Sequence, residues 1–336
     1  MMQAVTRNGW LVGGLVFWTL TALMTSGCGS APDDPWPDKP GPRVLVSFAP
    51  LASLAANVAG DDASVLCLLS TTGPHHFSPT PHDVSKLQRA DLFLINGLGM
   101  DDRFCTKLRD SCGNKKLTMV KLGEAIPTSQ LRRYDEAGHD AHHEHGPGCC
   151  HHGEYDPHVW LGIPEAILMV KAIRDELKQI DSAHASGYDQ RAEATIARLR
   201  QLQEDGMTAL QDKKDKNLLT FHDSLHYFAR TFGLNVVDSI EPRAGEEPSS
   251  AKLTQLVDTC LKHHVRVLAV EPQYPKNTSA KALLDEIRKK GLTDAVFVEV
   301  DPLETATFEE LAPDQLPRYY ETKMRANIQA LANHLR

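Results

Sequence analysis

The chain has 336 residues, of which 41% are hydrophobic and 24% are charged, and its formal net charge is −8 at pH 7. This composition suits a globular protein of one large or two medium domains. The acidic balance and the lack of any run of Lys and Arg argue against a nucleic-acid partner, because phosphate binding needs clustered cationic side chains.

The first 28 residues have the features of an export signal. A short start with one charge, Arg7, precedes an apolar run from Trp10 to Met24, and small residues lead into Cys28. The run is shorter than the roughly 20 residues of a membrane span. We therefore expect a signal peptide over 1–27 and a lipid on Cys28 that anchors the exported protein to a membrane, facing the periplasm or the extracellular side. A plain cleaved signal with an incidental Cys is the alternative.

A tether and two βα series follow along the chain. Residues 28–42 are rich in Pro, Gly and Asp, which predicts a flexible tether. From Arg43, short apolar runs alternate with amphipathic segments, which is typical of a parallel α/β sheet. This alternation predicts an N-terminal lobe over 43–181 and a C-terminal lobe over 213–336.

One long amphipathic segment separates the two series. Its apolar stripe consists of Tyr188, Ala192, Ile196, Leu199, Leu202 and Leu210. At 1.5 Å per residue it predicts a linking helix over 182–212, a rod of about 45 Å. The predicted fold class is therefore α/β, with two parallel-sheet lobes joined by a long rigid helix and a metal site in the cleft between them.

Residues 127–156 show no obvious element and are predicted to be a loop. The loop contains His139, His142, His143, His145, His151 and His152, together with Cys149 and Cys150. Imidazole and thiolate are zinc ligands, but here they stand among Gly, Asp and Glu, so coordination would cost backbone freedom of about 1–2 kcal/mol per residue. We expect weak auxiliary zinc binding that raises local zinc or senses excess metal; a solvated loop with no role is the alternative.

Four other residues stand at or near the ends of predicted elements. His75 follows the second strand, His158 follows the loop, His222 stands where a strand meets a helix, and Asp301 ends the last strand. Ligands of open α/β sheets bind outside the carboxyl ends of strands. Three imidazoles and one carboxylate form a plausible tetrahedral zinc set, whereas Mn2+ prefers more oxygen, and Ca2+ and Mg2+ nearly all oxygen.

Ordered sequence blocks resemble a known family from about Arg43 to Arg336. The blocks are GPHHFSPTPHDVSKLQRADLFLINGLGM, DPHVWL, FHDSLHYFARTFGL, SIEPRAGEEPSSAKL, VLAVEPQY and VEVDPL. They are similar to the solute-binding proteins of bacterial zinc and manganese ABC importers. The resemblance implies a non-catalytic receptor with a metal between two α/β lobes and a membrane permease as partner.

The resemblance also implies the ligands. They are His75, His158, His222 and Asp301, and His at the third position is the zinc-type choice, where many manganese-type members have Glu. A His-rich insertion before the second ligand is common in zinc-type members. The chain departs from the family where Gly162-Ile163-Pro164 replaces Asp-Pro and where Glu304 replaces Gly after DPL. His76 is the alternative for the first ligand.

Two other functions compete with a zinc receptor. HDSLH (222–226) resembles the zincin motif HExxH, but His222 ends a strand, and a catalytic zinc needs an open position that four ligands deny. A zinc-buffering or storage lipoprotein would rest on the His-rich loop alone. An adhesin role, sometimes ascribed to relatives, leaves no mark in the sequence. We predict a monomeric high-affinity Zn2+ receptor, with Mn2+ second, that delivers its metal to an ABC permease.

Overall fold

The computed structural model describes residues 34–134, 153–241, 246–272 and 279–336. Several of the predictions above lie outside these ranges: the signal peptide, Cys28, Cys149, Cys150, and the histidines at 139, 142, 143, 145, 151 and 152.

The first lobe is a four-stranded parallel sheet with helices on it. Its strands are β1 (Arg43–Val46), β2 (Ser64–Cys67), β3 (Leu92–Ile95) and β4 (Thr118–Lys121), in the order β2-β1-β3-β4. Helices α1 (Ala49–Ala59), α2 (Pro81–Gln88) and α3 (Asp102–Ser111) alternate with them. The central strand β3 is buried along its whole length, which explains its uninterrupted LFLI sequence.

The second lobe repeats this plan. Its strands are β5 (Asn217–Thr220), β6 (Asn235–Ser239), β7 (Val267–Val270) and β8 (Val296–Glu299), in the order β6-β5-β7-β8, all parallel. The helices of this half are α6 (His226–Phe232), α7 (Ser250–His263), α8 (Ser279–Lys289) and α9 (Leu316–His334). In parallel sheets all carboxyl ends lie at one edge, so each lobe offers one edge for a site.

Two long helices connect the lobes. α4 (Ile163–Ile180) is followed by a 3-10 turn (Ser182–His184) and α5 (Ala185–Leu210), whose 26 residues span about 39 Å. All six predicted stripe residues of α5 are buried, and the helix packs against α1, α4, α6 and α9. The predicted fold class of two parallel-sheet lobes and a long helix is confirmed.

Short 3-10 turns complete the described chain. They are Leu122–Ala125, Thr128–Gln130 and Val159–Leu161. At the stem of the His-rich loop, Arg133 and Tyr155 form an isolated antiparallel bridge. The two sides of the loop therefore start next to each other.

Trp36 packs against the first lobe, although it lies within residues 28–42, whose composition predicts a flexible tether. Its side chain is 4% exposed, and its indole N–H donates to the carbonyl of Lys86 at 3.0 Å. Burying an indole stabilises this segment, since its area is large and its donor is satisfied. Residues 35–336 form one compact unit, and among the described helices none is long and apolar enough to cross a membrane.

Four cysteines fall within the described residues. Cys67, Cys105, Cys112 and Cys260 are all free thiols. Cys105 and Cys112 lie two turns apart on α3 and its carboxyl end, a spacing of about 10 Å along the axis that exceeds disulfide reach. These two thiols are therefore not joined to each other.

Candidate metal centre

Three histidines and one glutamate converge from separate elements of both lobes. His75 lies in the loop after β2, and His158 directly precedes the 3-10 turn Val159–Leu161. His222 follows β5 by two residues, and Glu304 lies in the segment after β8. Among the residues that the structure describes, this is the group of His, Cys, Asp and Glu whose ligand atoms meet closely enough to hold a metal, all within 4.8 Å of one another.

The individual distances are close to the edges of a small tetrahedron. Glu304 Oε1 lies 3.3 Å from His75 Nε2, 3.5 Å from His158 Nε2 and 3.4 Å from His222 Nε2. The Nε2 atoms of His158 and His222 are 3.4 Å apart. Zinc–ligand bonds of about 2.0–2.2 Å imply tetrahedral edges of about 3.3–3.6 Å. Four of the six distances between ligand atoms therefore already match a tetrahedral zinc site, and the two between His75 and the other imidazoles are at most 4.8 Å.

Two carboxylates set the orientation of the inner imidazoles. Asp156 Oδ1 accepts from His158 Nδ1 at 2.8 Å and from the His158 backbone N–H at 3.0 Å. Glu271 makes a short hydrogen bond with Nδ1 of His222. Because Nδ1 faces a carboxylate in each ring, Nε2 points into the cluster with its lone pair available to a metal.

The rings are also held by packing. His158 is 1% exposed and its ring lies 5.3 Å from that of Trp160, which is itself fully buried against Phe48. The Trp160 indole donates to the carbonyl of Pro302 at 2.8 Å, and so ties the loop of one ligand to that of another. The local sequence DPHVWL therefore forms a buried and satisfied turn.

Burial and neighbouring charges shift the pKa values of the three histidines in different directions. Burial lowers the pKa of His75, against the opposing effect of the Glu304 charge. Burial also acts to lower the pKa of His222, but the charges of Glu271 and Glu304 outweigh it and raise that pKa well above its usual value. For His158, the hydrogen bonds to Asp156 and Glu304 likewise outweigh burial and raise the pKa.

Glu304 stays ionised in this environment. Burial acts to raise its pKa, but the neighbouring charges of His75 and His222 and hydrogen bonds from His158 and His222 hold it well below the usual range. The cluster thus consists of cationic or neutral imidazoles around one carboxylate. A divalent cation can bind there by displacing protons from the imidazoles.

The structure differs from the sequence prediction at the fourth residue. It does not bring Asp301 into the cluster, because the Asp301 carboxylate accepts from the Leu303 backbone N–H at 2.7 Å and pairs with Lys323 Nζ at 3.0 Å. The carboxylate that meets the three imidazoles belongs to Glu304. The available signal was its departure from the family's Gly, which puts a second acid three residues after Asp301.

Two further histidines near the site do not join the cluster. His76 is exposed, with its ring 6.5 Å from that of His75. His226 is the first residue of α6, and its Nε2 bonds Asp223 Oδ1 at 2.5 Å. HDSLH therefore does not place two histidines on a shared metal as a zincin helix does.

A closed set of four donors binds a metal and leaves no position for a reacting water. The class that this fold and site define is a two-lobed metal-binding protein whose ligands come from both lobes.

Comparison with known proteins gives the family. The family described as zinc-uptake complex component A, periplasmic (ZnuA), matches residues 44–334. The chain belongs to this family of non-catalytic solute-binding proteins of metal ABC importers.

Some relatives are named for zinc and another for manganese. The chain is 30% identical over 302 residues to the zinc-binding protein AdcA of Streptococcus pyogenes serotype M3, covering 86% of this chain but 55% of AdcA. It is 26% identical over 291 residues to the manganese-binding lipoprotein MntA of Halalkalibacterium halodurans, covering 84% of this chain and 90% of MntA. The chain therefore spans about half the length of the AdcA proteins.

The fold agrees with solved structures. A mutant of the laminin-binding adhesin (Lmb) from Streptococcus agalactiae superposes with a TM-score of 0.72 at 24% identity, over 88% of this chain and all of that one. At this identity the likeness concerns the fold.

Proposed function

We propose that this chain captures Zn2+ outside the cytoplasm and delivers it to the membrane permease of an ABC importer. The observation that supports this choice of metal is the donor geometry. Three imidazole nitrogens and one carboxylate oxygen converge, and four of the six distances between them are close to tetrahedral zinc edges. Mn2+ favours more oxygen ligands and a higher coordination number, which this set does not provide.

The proposed ligands are His75, His158, His222 and Glu304. They come from both lobes, so release of the metal requires the ligand-bearing segments to separate. We place the lobes at 43–181 and 213–336, with 182–212 as the helix that joins them. A helix of this length that packs along one face favours a stiff joint over a flexible linker.

The N-terminal sequence supports an anchor for this receptor. We propose that residues 1–27 are removed and that Cys28 is lipidated, which holds a monomeric receptor next to the permease. Labelling with a radioactive fatty acid in a bacterial host tests this: the native chain should take up label and the Cys28→Ala variant should not. Label on the variant would refute Cys28 as the attachment point.

The His-rich loop is proposed to be an auxiliary collector of zinc. Its ends lie beside the site, because Tyr155 precedes Asp156, which holds His158. Weak binding there would raise the zinc concentration near the cluster without belonging to it.

The deciding experiment is a competition titration. The purified metal-free chain is titrated with Zn2+ and, separately, Mn2+ against chelators of known strength. We expect one tight Zn2+ per chain and Mn2+ binding at least a hundredfold weaker, in keeping with the preference of nitrogen-rich sites. Equal or tighter Mn2+ binding would overturn the zinc proposal, and no tight binding of either metal would overturn the receptor itself.

A further inference from the structure

Asp301 lies at the start of a strained turn that ends at Glu304. Leu303, between them, has a φ of 63°, a left-handed conformation that is strained for a non-glycine residue. The Asp301 carboxylate accepts from the Leu303 backbone N–H at 2.7 Å. The hydrogen bond closes a tight side-chain turn of the kind that Asp stabilises, and so holds Leu303 in this conformation.

Asp301 itself is fixed to α9 by its backbone and its side chain. Its N–H donates to Asn327 Oδ1 at 2.8 Å, and its carbonyl accepts from Asn327 Nδ2 at 2.7 Å. Its carboxylate lies 3.0 Å from Lys323 Nζ, which also pairs with Glu310 at 2.9 Å. Both carboxylate oxygens of Asp301 are therefore engaged, one by Leu303 and one by Lys323.

The rest of the turn is held by groups that leave the Glu304 side chain to the cluster. The Trp160 indole holds the Pro302 carbonyl, and the Tyr319 hydroxyl donates to the carbonyls of Leu303 and Thr305 at 3.3 and 2.8 Å. The side chain of Glu304, 4% exposed, reaches all three imidazoles.

We propose that Asp301 is a positioning residue: it holds the turn that aims Glu304 at the metal, and it is not itself a ligand. The inference rests on the proposed metal-binding function of the cluster. For Asp301 to coordinate, its carboxylate would have to release the buried Leu303 N–H and give up its ion pair with Lys323, which would keep only Glu310. A buried donor left without a partner is unfavourable. Lys323 thus keeps a second carboxylate away and leaves the site with one hard oxygen ligand.

Three substitutions separate a positioning role from a ligand role. Asp301→Asn keeps an oxygen for the Leu303 N–H but loses the charge that pairs with Lys323. Asp301→Ala loses both, and Glu304→Ala removes the proposed ligand. The matched control is Asp294→Ala at the opposite end of β8, where the carboxylate pairs with Arg266 and Arg336 at 2.9 Å each.

Each purified full-length variant is titrated with Zn2+ in competition with a chelator, and its saturated Co2+ complex is examined by visible absorption. We expect Asp301→Asn to weaken Zn2+ binding by less than tenfold and Asp301→Ala by about 10–100-fold, the usual range for groups that orient a ligand. Glu304→Ala should weaken it more than either, and Asp294→Ala should leave it unchanged.

The Co2+ spectrum reports the donor set and would not respond to stability alone. It should keep its band positions in both Asp301 variants and change in Glu304→Ala. Melting curves of the metal-free variants check that each one folds, and Asp301→Asn keeps the test informative if the alanine variant does not fold.

Two results separate the inference from the proposed function. If the native chain binds zinc tightly but Asp301→Asn loses the tight site and changes the Co2+ spectrum, while Glu304→Ala does neither, then Asp301 is the ligand and the inference is wrong. If the native chain itself binds no zinc tightly, the proposed function fails as well.

Discussion

Replacing Asp156 by Asn tests how much the hydrogen bond behind His158 contributes to metal affinity. Asp156 is fully buried, and its two oxygens serve different partners: Oδ1 holds His158, and Oδ2 lies 3.3 Å from Arg132 Nη1. Asn has nearly the same size but only one oxygen. Whichever way its amide turns, its NH2 group faces a donor, either the guanidinium of Arg132 or the N–H groups of His158.

The expected loss follows from this mismatch. Without a carboxylate at Nδ1, the His158 imidazole is a weaker donor and is less firmly oriented. Removing such a partner typically costs 10–100-fold in metal affinity, or about 1.4–2.8 kcal/mol. We therefore expect Asp156→Asn to weaken Zn2+ binding by that factor while the chain still binds one Zn2+.

Chelator competition at pH 7.5 measures this loss. Asp189→Asn is the control, since Asp189 pairs with Lys178 on the exposed side of the connecting helices and should not affect zinc. Melting of the metal-free proteins shows whether Asp156→Asn also loosens the fold. An affinity within twofold of the native value, in a folded variant, would refute the role of this hydrogen bond.

Four further outcomes test other parts of the site. The raised pKa values of His158 and His222 mean that protons compete with zinc from above pH 6.5, so affinity measured from pH 8 to 5.5 should fall steadily; a flat profile would contradict a three-histidine site. His222→Glu should narrow the preference for Zn2+ over Mn2+ in competition titrations, because it adds a harder ligand; an unchanged ratio would argue against this ligand position. Deleting residues 139–152 should remove only weak zinc equivalents in a stoichiometric titration, whereas His158→Ala should abolish the tight one, and the reverse pattern would place the tight site in the loop. Zn2+ at 100 times its Kd should stabilise the native chain by about 2.7 kcal/mol, seen as a higher melting temperature that Glu304→Ala largely loses; equal shifts in both would exclude Glu304 from binding.

Local sequence patterns predict much of the fold. The βα alternation from Arg43, the buried strands such as LFLI and the apolar stripe of α5 predict two parallel-sheet lobes and a long helix, and the structure has both. These patterns are readable because strand and helix periodicities depend on neighbours a few residues away. The positions of His75, His158 and His222 at or beside element ends were visible for the same reason.

The tertiary structure alone decided which acid faces the histidines and what supports them. Asp301 and Glu304 are three residues apart, and the choice between them depends on the left-handed Leu303 and on Lys323, which approaches from α9. Glu271 reaches His222 across 49 residues of chain. The periodicity of the sequence does not predict such contacts, because they depend on how separate elements pack and on which partner each buried charge meets in the folded chain.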